Sequence, residues 1–541
     1  MFLVSRFFIA MRRLLLLATL VLAAASAQAN SWWDNFKPTN PNVQLTQTNL
    51  PIVWINVDGT TIDTEERITA RMKIIHNGNG QLNYADTIAH PGQKVDYEGY
   101  IALRYRGNSS FSASDKKPYS FRTLNAPLED GGTKVKVKIL GMPKDNNWAI
   151  LAPFSDKSMM RDMLAFELSR PWMDYTPNGR YCEMFLDGTY YGVFIITEVV
   201  SKGKNRCNLD DPGDEGDALT GGYLVEVDRN DEVTHRSKYH PVNSQGKTLF
   251  SRYIYFQYKE PDYEDMTTDQ INYINGAVDA MEDALASNNF MNPETGYRKY
   301  LDPLSFVDYQ ISQELGHNVD GYRLSAKMFK RRDSQDGHFK MVLWDYNLAY
   351  GNADYYNGWY TTGWVWDNND VLNANYDQQE VPFWWYKLNQ DPYYVDMLHD
   401  RWAQCRRANF SNDRIMATVD SIATLLTVQG AEARNSKAWP KWGQYVWPNY
   451  FIAQNYTEEI NFLKQWLNDR LTWMDEQWGY DPNAFLPGDI NGDGVVDIFD
   501  VNIVINIVLG KTESLDVADV NGDGAVDVTD INAVINIMLG K

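Results

Sequence analysis

A chain of 541 residues with 44% hydrophobic and 22% charged residues has room for one large fold plus appendages, and can bury a core. Its 50 Lys and Arg against 71 Asp and Glu leave a net charge of −21, which repels a phosphate backbone and disfavours nucleic acid as a partner. Three Cys exclude a disulfide-built scaffold.

The chain opens with basic residues (Arg6, Arg12, Arg13), an apolar run from Leu14 to Ala25, and the small residues Ala27 and Ala29. This is the layout of a signal peptide over residues 1–29, with the mature chain starting near Asn30. The run is too short to cross a hydrocarbon core of ~30 Å, and no later stretch is longer and equally apolar. The expectation is a secreted, extracellular protein with no membrane span, free or in a cell-surface complex. No Cys follows the run, so lipoprotein anchoring is disfavoured. In an oxidising compartment Cys182 and Cys207 are candidates to pair, leaving Cys405 over.

After a linker at 30–47, residues 48–478 alternate strand-like and helix-like stretches, which predicts an α+β body. Tyr100 to Arg106 alternates like a half-buried strand, and Lys117 to Arg122 reads as a second. Asp156 to Ser169 has the period of a helix, with Met159, Met163 and Phe166 on one face and Ser155 as its cap. Cys182 to Phe185 and Tyr190 to Glu198 flank Asp187 and Gly188, a hairpin signature. The apolar strand Phe339 to Trp344 delivers Asp345 and Asn347 into a loop that ends at Gly351. Residues 456–477 read as one long helix. The 13% aromatic content, with 18 Trp and 33 Tyr, hints at stacking surfaces.

A second linker at 479–485 leads to a duplicated segment, 486–541. Asp489, Asn491, Asp493, Asp497 and Asp500 recur thirty residues later (519 − 489) as Asp519, Asn521, Asp523, Asp527 and Asp530. These oxygen ligands fall at loop positions 1, 3, 5, 9 and 12, Gly494 and Gly524 occupy position 6, and the carbonyls of Val495 and Ala525 position 7. This is the hard-oxygen cage that Ca²⁺ takes, one ion per loop. Each loop runs into an apolar helix, Val501 to Leu509 and Ile531 to Leu539. So small a module needs a staple, which makes calcium its folding partner.

Position 12 is Asp rather than Glu, and no helix-like segment directly precedes the first loop. With the tandem spacing, these features make residues 486–541 resemble a type I dockerin, a small all-α module with two EF-hand-like calcium loops. The resemblance implies a cohesin domain of a scaffold protein as partner.

In the body, residues 106–110, Lys116 and Lys117, residues 147–151 with 155–162, residues 188–198, Asn318 to Asp320, and residues 344–351 form a series of motifs in fixed order. With them the body resembles the CotH family of protein-kinase-like proteins. The resemblance implies an atypical two-lobed kinase-like body and ATP- and metal-dependent phosphoryl transfer to a protein. On that reading Asp345 holds Mg²⁺ or Mn²⁺ with help from Asn347, and Asp320 is the catalytic-loop carboxylate. Lys117, with Arg106 as a further cation, neutralises phosphate; Asp162 or Glu167 orients the lysine; the strand ending at Glu198 leads to the adenine-holding hinge. Where kinases place a metal-binding Asn, five residues after the catalytic Asp, this chain has Ser325, a weaker ligand.

Each residue also has a structural reading. Asp345 and Asp320 would serve as turn caps, Lys117 as a surface lysine, and Arg104 and Arg106 as ion-pair partners. Trp384, Trp385, Trp439, Trp442 and Trp447 fit core or groove wall better than a sugar platform. Beside an active kinase stand two alternatives: a catalytically silent kinase-fold scaffold or adhesion subunit, and an accessory component of a polysaccharide-degrading, cellulosome-like complex. No carboxylate pair identifies a glycoside hydrolase.

Overall fold

The computed structural model describes residues 42–481, 486–492 and 494–539. The signal-peptide expectation and Asp493 lie outside them.

The first half of the body closes into a barrel. Its strands are β1 (Ile52–Asn56), β2 (Ile68–Ile75), β3 (Val95–Tyr105), β4 (Tyr119–Leu124), β5 (Asn147–Leu151), β6 (Gly179–Leu186) and β7 (Thr189–Glu198). The order is β1-β2-β3-β4-β5-β7-β6, and β6 returns to pair in parallel with β1, Ile52 opposite Glu183. Alternation fills the interior with every second residue of the strands, such as Val53 and Ile55, Met72 and Ile74, Ile101 and Leu103, all at most 1% exposed. Closure removes the open edges that a free sheet would present. The predicted hairpin is β6–β7, and Asp187 (φ +45°) with Gly188 (φ +76°) make its turn in the left-handed region.

Between β5 and β6 the chain forms α1 (Arg161–Ser169), shorter than the helix expected from Asp156. Asp156 itself sets the start: its carboxylate accepts the N–H groups of Ser158 (3.1 Å) and Arg161 (2.9 Å), and Met159 at φ +61° cannot continue a helix backwards.

A second sheet follows, with β8 (Tyr223–Val227), β9 (Tyr255–Glu260), β10 (Ala326–Lys330) and β11 (Phe339–Val342). It is antiparallel in the order β9-β8-β10-β11, with His235–Arg236 on the β9 edge. Around it lie α2 (Thr268–Ala286), α3 (Pro303–Gly316), α4 (Pro392–Arg407), α5 (Asn412–Thr427), α6 (Ala431–Ala438) and α7 (Tyr456–Trp478). Trp384, Trp385 and Trp402 are each at most 1% exposed in this core.

The late helices fasten the barrel to the rest. Asn435 on α6 accepts the Val193 N–H (3.1 Å) and the buried Lys116 ammonium (2.9 Å). On α7, Glu459 meets Arg161 at 2.9 Å and Arg470 meets Glu314 of α3 at 3.1 Å. The three cysteines are free and buried, Cys182 in the barrel core and Cys207 in the core of the other half, so the two candidates for pairing stand apart.

The C-terminal segment contributes α8 (Ile498–Val508) and α9 (Val528–Met538) around a small core of Val501, Val504, Ile507 and Val534. Both helices start three residues earlier than the apolar pattern alone suggests. Asp497 and Asp527 are their N-caps, each in a capping box with Asp500 or Asp530. No helix among the described residues is long and apolar enough to cross a membrane.

Candidate active site

A cleft opens where the rim of the barrel, the first turn of α1 and the turn after β11 meet. Arg106, Asp162, Asp345 and Asn347 line it, with Ser110 and Ser155 on its walls. Arg106 follows β3; its N–H bonds to the Pro118 carbonyl (3.1 Å), which carries the β3–β4 pairing past the rim. Its guanidinium lies over the Trp344 ring, 5.0 Å from the centroid.

Asp345 sits at φ +66°, left-handed backbone that a non-glycine residue adopts only when its surroundings hold it there. Two bonds do so. The Asn318 amide donates to the Asp345 carbonyl (3.1 Å), and the next N–H, of Tyr346, donates to the Asp162 carboxylate (2.7 Å).

Burial and neighbouring carboxylates lift both acids: Asp162 to about 7, by burial and then Asp345, and Asp345 to about 6, by burial and then Asp320. Arg106 pulls both down, while its own burial lowers it against the attraction of Asp345, Glu226 and Asp162. A cleft that leaves two carboxylates poorly compensated beside one guanidinium suits a divalent cation that brings its own anion.

Asp320 stands behind this lining, in the turn after α3, where Arg323 holds its carboxylate at 2.8 Å and reaches Asp377 at 3.0 Å. Ser325 is left-handed at φ +51°, and its N–H faces the Asp228 carboxylate at 3.3 Å. The structure does not bring Lys117 or Glu198 to the cleft. The Lys117 ammonium bonds to the Phe111 carbonyl (2.5 Å) and rests on the Phe111 ring. Glu198 is fully buried at the end of β7, where it accepts from the N–H (2.9 Å) and side-chain amide (2.8 Å) of Asn178. Glu167 pairs with Arg170 at 3.0 Å, so of the two acids on α1 it is Asp162 that faces the cleft.

One charged pair escaped sequence reasoning. Glu226 on β8 and Lys327 on β10 are direct register partners and form a buried ion pair whose charges act on Arg106 and Asp345. The available signal was the lone Glu226 of apolar β8, and Lys327 and Lys330 in the otherwise apolar β10.

In the C-terminal loops the carboxylates at positions 1 and 12 organise the backbone. Asp489 accepts the N–H groups of Gly492 (2.9 Å) and Gly494 (2.7 Å), and Asp519 those of Asp523 (3.1 Å) and Gly524 (2.8 Å). Asp500 and Asp530, both fully buried, each accept three backbone N–H bonds. Gly494 and Gly524 turn at φ +85° and +89°. Among the described residues no three His, Cys, Asp or Glu side chains converge to enclose a metal by themselves. The remaining side-chain donors are Asn491 and Asp497 in the first loop, with Asp493 outside the described residues, and Asn521, Asp523 and Asp527 in the second, joined in each by a backbone carbonyl.

The family model for CotH kinase protein matches residues 103–474, and the chain belongs to that family. The model for the type I dockerin domain matches residues 487–539, so this is a CotH-family protein carrying a module of the kind that binds calcium and docks onto cohesins. No curated relative matches the chain.

Proposed function

We propose that the body is a metal-dependent phosphotransferase using ATP, delivered by its dockerin to a cohesin-bearing extracellular complex. The observation that carries this reading is Asp345, held left-handed at the cleft beside Asp162, with Arg106 facing both. Asp345 and Asn347 offer the oxygen donors that Mg²⁺ or Mn²⁺ prefers, and the cation would supply charge neutralisation for a triphosphate. Arg106 takes the phosphate-facing role that sequence assigned first to Lys117. Asp320 is the base for the acceptor hydroxyl, positioned by Arg323. In the C-terminal segment, Asp489, Asn491, Asp493, Val495, Asp497 and Asp500 hold one Ca²⁺, and Asp519, Asn521, Asp523, Ala525, Asp527 and Asp530 the second.

The test is incubation of the mature protein with labelled ATP and Mg²⁺ or Mn²⁺, beside Asp345→Ala. Metal-dependent nucleotide binding that Asp345→Ala abolishes supports the reading. Absence of both binding and transfer in a folded protein moves the assignment to a silent scaffold. That second reading is favoured by the Asp320–Arg323 ion pair, which occupies the base, and by Ser325.

A further inference from the structure

Beside the cleft lies an aromatic surface that ATP and metal do not use. Residues 352–360 and 445–450 build it together. Ala353 and Asn449 form an antiparallel bridge, the Asp354 N–H donates to the Pro448 carbonyl (2.9 Å), and the Tyr450 N–H to that of Asn352 (2.9 Å). Rings from the two segments lie flat against each other: Tyr355 on Trp447 (6.0 Å between centroids, 7° between planes) and Trp359 on Tyr450 (5.1 Å, 9°). Tyr355 and Trp359 are half-buried, but the outer rings remain open to solvent, Trp447 among them rather than in core or groove wall as expected. Tyr445 is 53% exposed, Tyr450 49%, Tyr360 47% and Trp447 46%, a concentration of exposed rings that folding alone does not demand.

The base of this shelf adjoins the candidate site. Tyr355 and Tyr356 pack on Val319 and Leu348, the chain neighbours of Asp320 and Asn347. Arg323, which holds Asp320, stands 5.3 Å from the centre of the Tyr356 ring. The same segment braces the cleft from the other side: Lys157 donates to the Gln444 carbonyl (2.7 Å), and Asn449 to that of Ser155 (2.7 Å) on the cleft wall. The shelf is therefore fixed relative to the chemistry rather than merely near it.

Its composition selects a guest. The two segments contribute a single charged side chain, Asp354, and that carboxylate already accepts the Tyr445 hydroxyl at 2.7 Å. The neighbouring cations are engaged: Arg323 with Asp320 and Asp377, and the buried Lys157 with the Gln444 carbonyl. Among the described residues an anionic acceptor meets only cations that already have partners, and within the two segments a cationic peptide finds one carboxylate, already engaged. Flat open rings bordered by tyrosine hydroxyls, Asn357 and Asp354 match the C–H face and hydroxyl rim of a neutral sugar.

We infer that the shelf of residues 352–360 and 445–450 is the acceptor subsite and takes a neutral glycan, in place of the protein acceptor that the family resemblance implies, presenting a sugar hydroxyl to the cleft. This rests on the phosphotransfer reading for its chemistry. The sugar oxygen attacks the γ-phosphorus of ATP, the bond to the β–γ bridging oxygen breaks, ADP departs with that electron pair, and the hydroxyl proton passes to Asp320.

The test titrates the full-length protein, calcium present and nucleotide absent, with neutral hexasaccharides of glucose, xylose and mannose by calorimetry. At least one binds, and Trp447→Ala weakens it about tenfold or more, the loss of an aromatic anchor. Tyr445→Phe is a second, milder variant that keeps the ring and removes its bond to Asp354. Asp345→Ala leaves glycan binding unchanged, which separates the shelf from the nucleotide site. Trp447-dependent glycan binding by a protein that transfers no phosphate leaves the shelf as a glycan site and sinks the phosphotransfer reading. The inference is overturned if no hexasaccharide binds, if Trp447→Ala binds as well as wild type, or if only a lysine-rich peptide depends on Trp447.

Discussion

The Asp162 carboxylate accepts the Tyr346 backbone N–H at 2.7 Å, tying helix α1 to the turn that presents Asp345. A bond to a charged acceptor in a buried site is worth about 1.5–3 kcal/mol, enough to hold a left-handed residue in place. Asp162→Ala should weaken metal-dependent nucleotide binding by about tenfold or more, because the turn loses its tether. Glu167→Ala, on the same helix but paired with Arg170 at the surface, should change binding by less than about threefold. Equal effects of the two substitutions would show that the tether is irrelevant.

Arg470 and Glu314 are both fully buried and meet at 3.1 Å. Arg470 also donates to the carbonyls of Glu314 (2.8 Å) and Gly363 (2.8 Å), while Glu314 accepts from Val365 (3.0 Å), Trp366 (3.0 Å) and the Tyr322 hydroxyl (2.8 Å). Removing one partner strands the other charge in the core. Arg470→Ala should cost roughly 3–5 kcal/mol, read as a lower thermal midpoint of the body, and adding Glu314→Gln should recover part of it.

Glu282 gives the pH dependence a definite sign. It is fully buried, accepts from Ser237 (2.7 Å) and Trp384 (2.8 Å), and burial lifts it from 4.5 to about 7. Asp279 and Lys238 face it with opposing effects. Between those values the folded chain keeps a proton that the unfolded chain releases, so its contribution to stability declines as pH rises from about 4.5 to 7. The total is on the order of 3 kcal/mol. Glu282→Gln should raise the midpoint at pH above 7 and leave it nearly unchanged at pH below 4.5; a uniform shift would contradict the assignment.

What could be read from sequence follows the range of the interactions. The β6–β7 hairpin was legible because its alternation and its Asp187–Gly188 turn are local. Closure of the barrel was not, since it depends on Ile52 finding Glu183 across most of that half of the body. The start of α1 was misplaced because Asp156, which looked like its first residue, spends its carboxylate on capping and on Arg161. At the site, Arg106, Asp162, Asp345 and Asn347 were each nameable from sequence, and they line one cleft. Choosing between Arg106 and Lys117 as the facing cation required the positions of Trp344 and Phe111, which no local pattern encodes.

Removal of calcium should act on one part only. Among the described residues Asp500 and Asp530 are buried with no ion-pair partner, and a small core around Val504 and Val534 packs α8 against α9. With free Ca²⁺ about 100-fold above its Kd, each site adds ~2.7 kcal/mol. Chelator should therefore abolish the helical signal of an isolated 486–541 fragment and expose it to protease, while the midpoint of the body stays put. A fragment indifferent to chelator would remove calcium from its folding.

Ser325 offers the sharpest test of whether activity is limited by a missing ligand. Its backbone is left-handed, φ +51°, in the turn that leads into β10, and its N–H is directed at Asp228. Asn tolerates that conformation better than Ser, so Ser325→Asn should fold with a midpoint equal to or above wild type. It also places an amide carbonyl where the hydroxyl stands, a stronger donor for a hard cation. If the second metal position limits the reaction, Ser325→Asn should raise turnover and lower the metal concentration needed for half-maximal rate. Ser325→Ala should do the reverse while leaving ATP binding through Asp345 intact. Turnover unchanged in both variants, with metal dependence also unchanged, would place Ser325 outside the metal site and leave the Asp320–Arg323 pair as the feature to relax next.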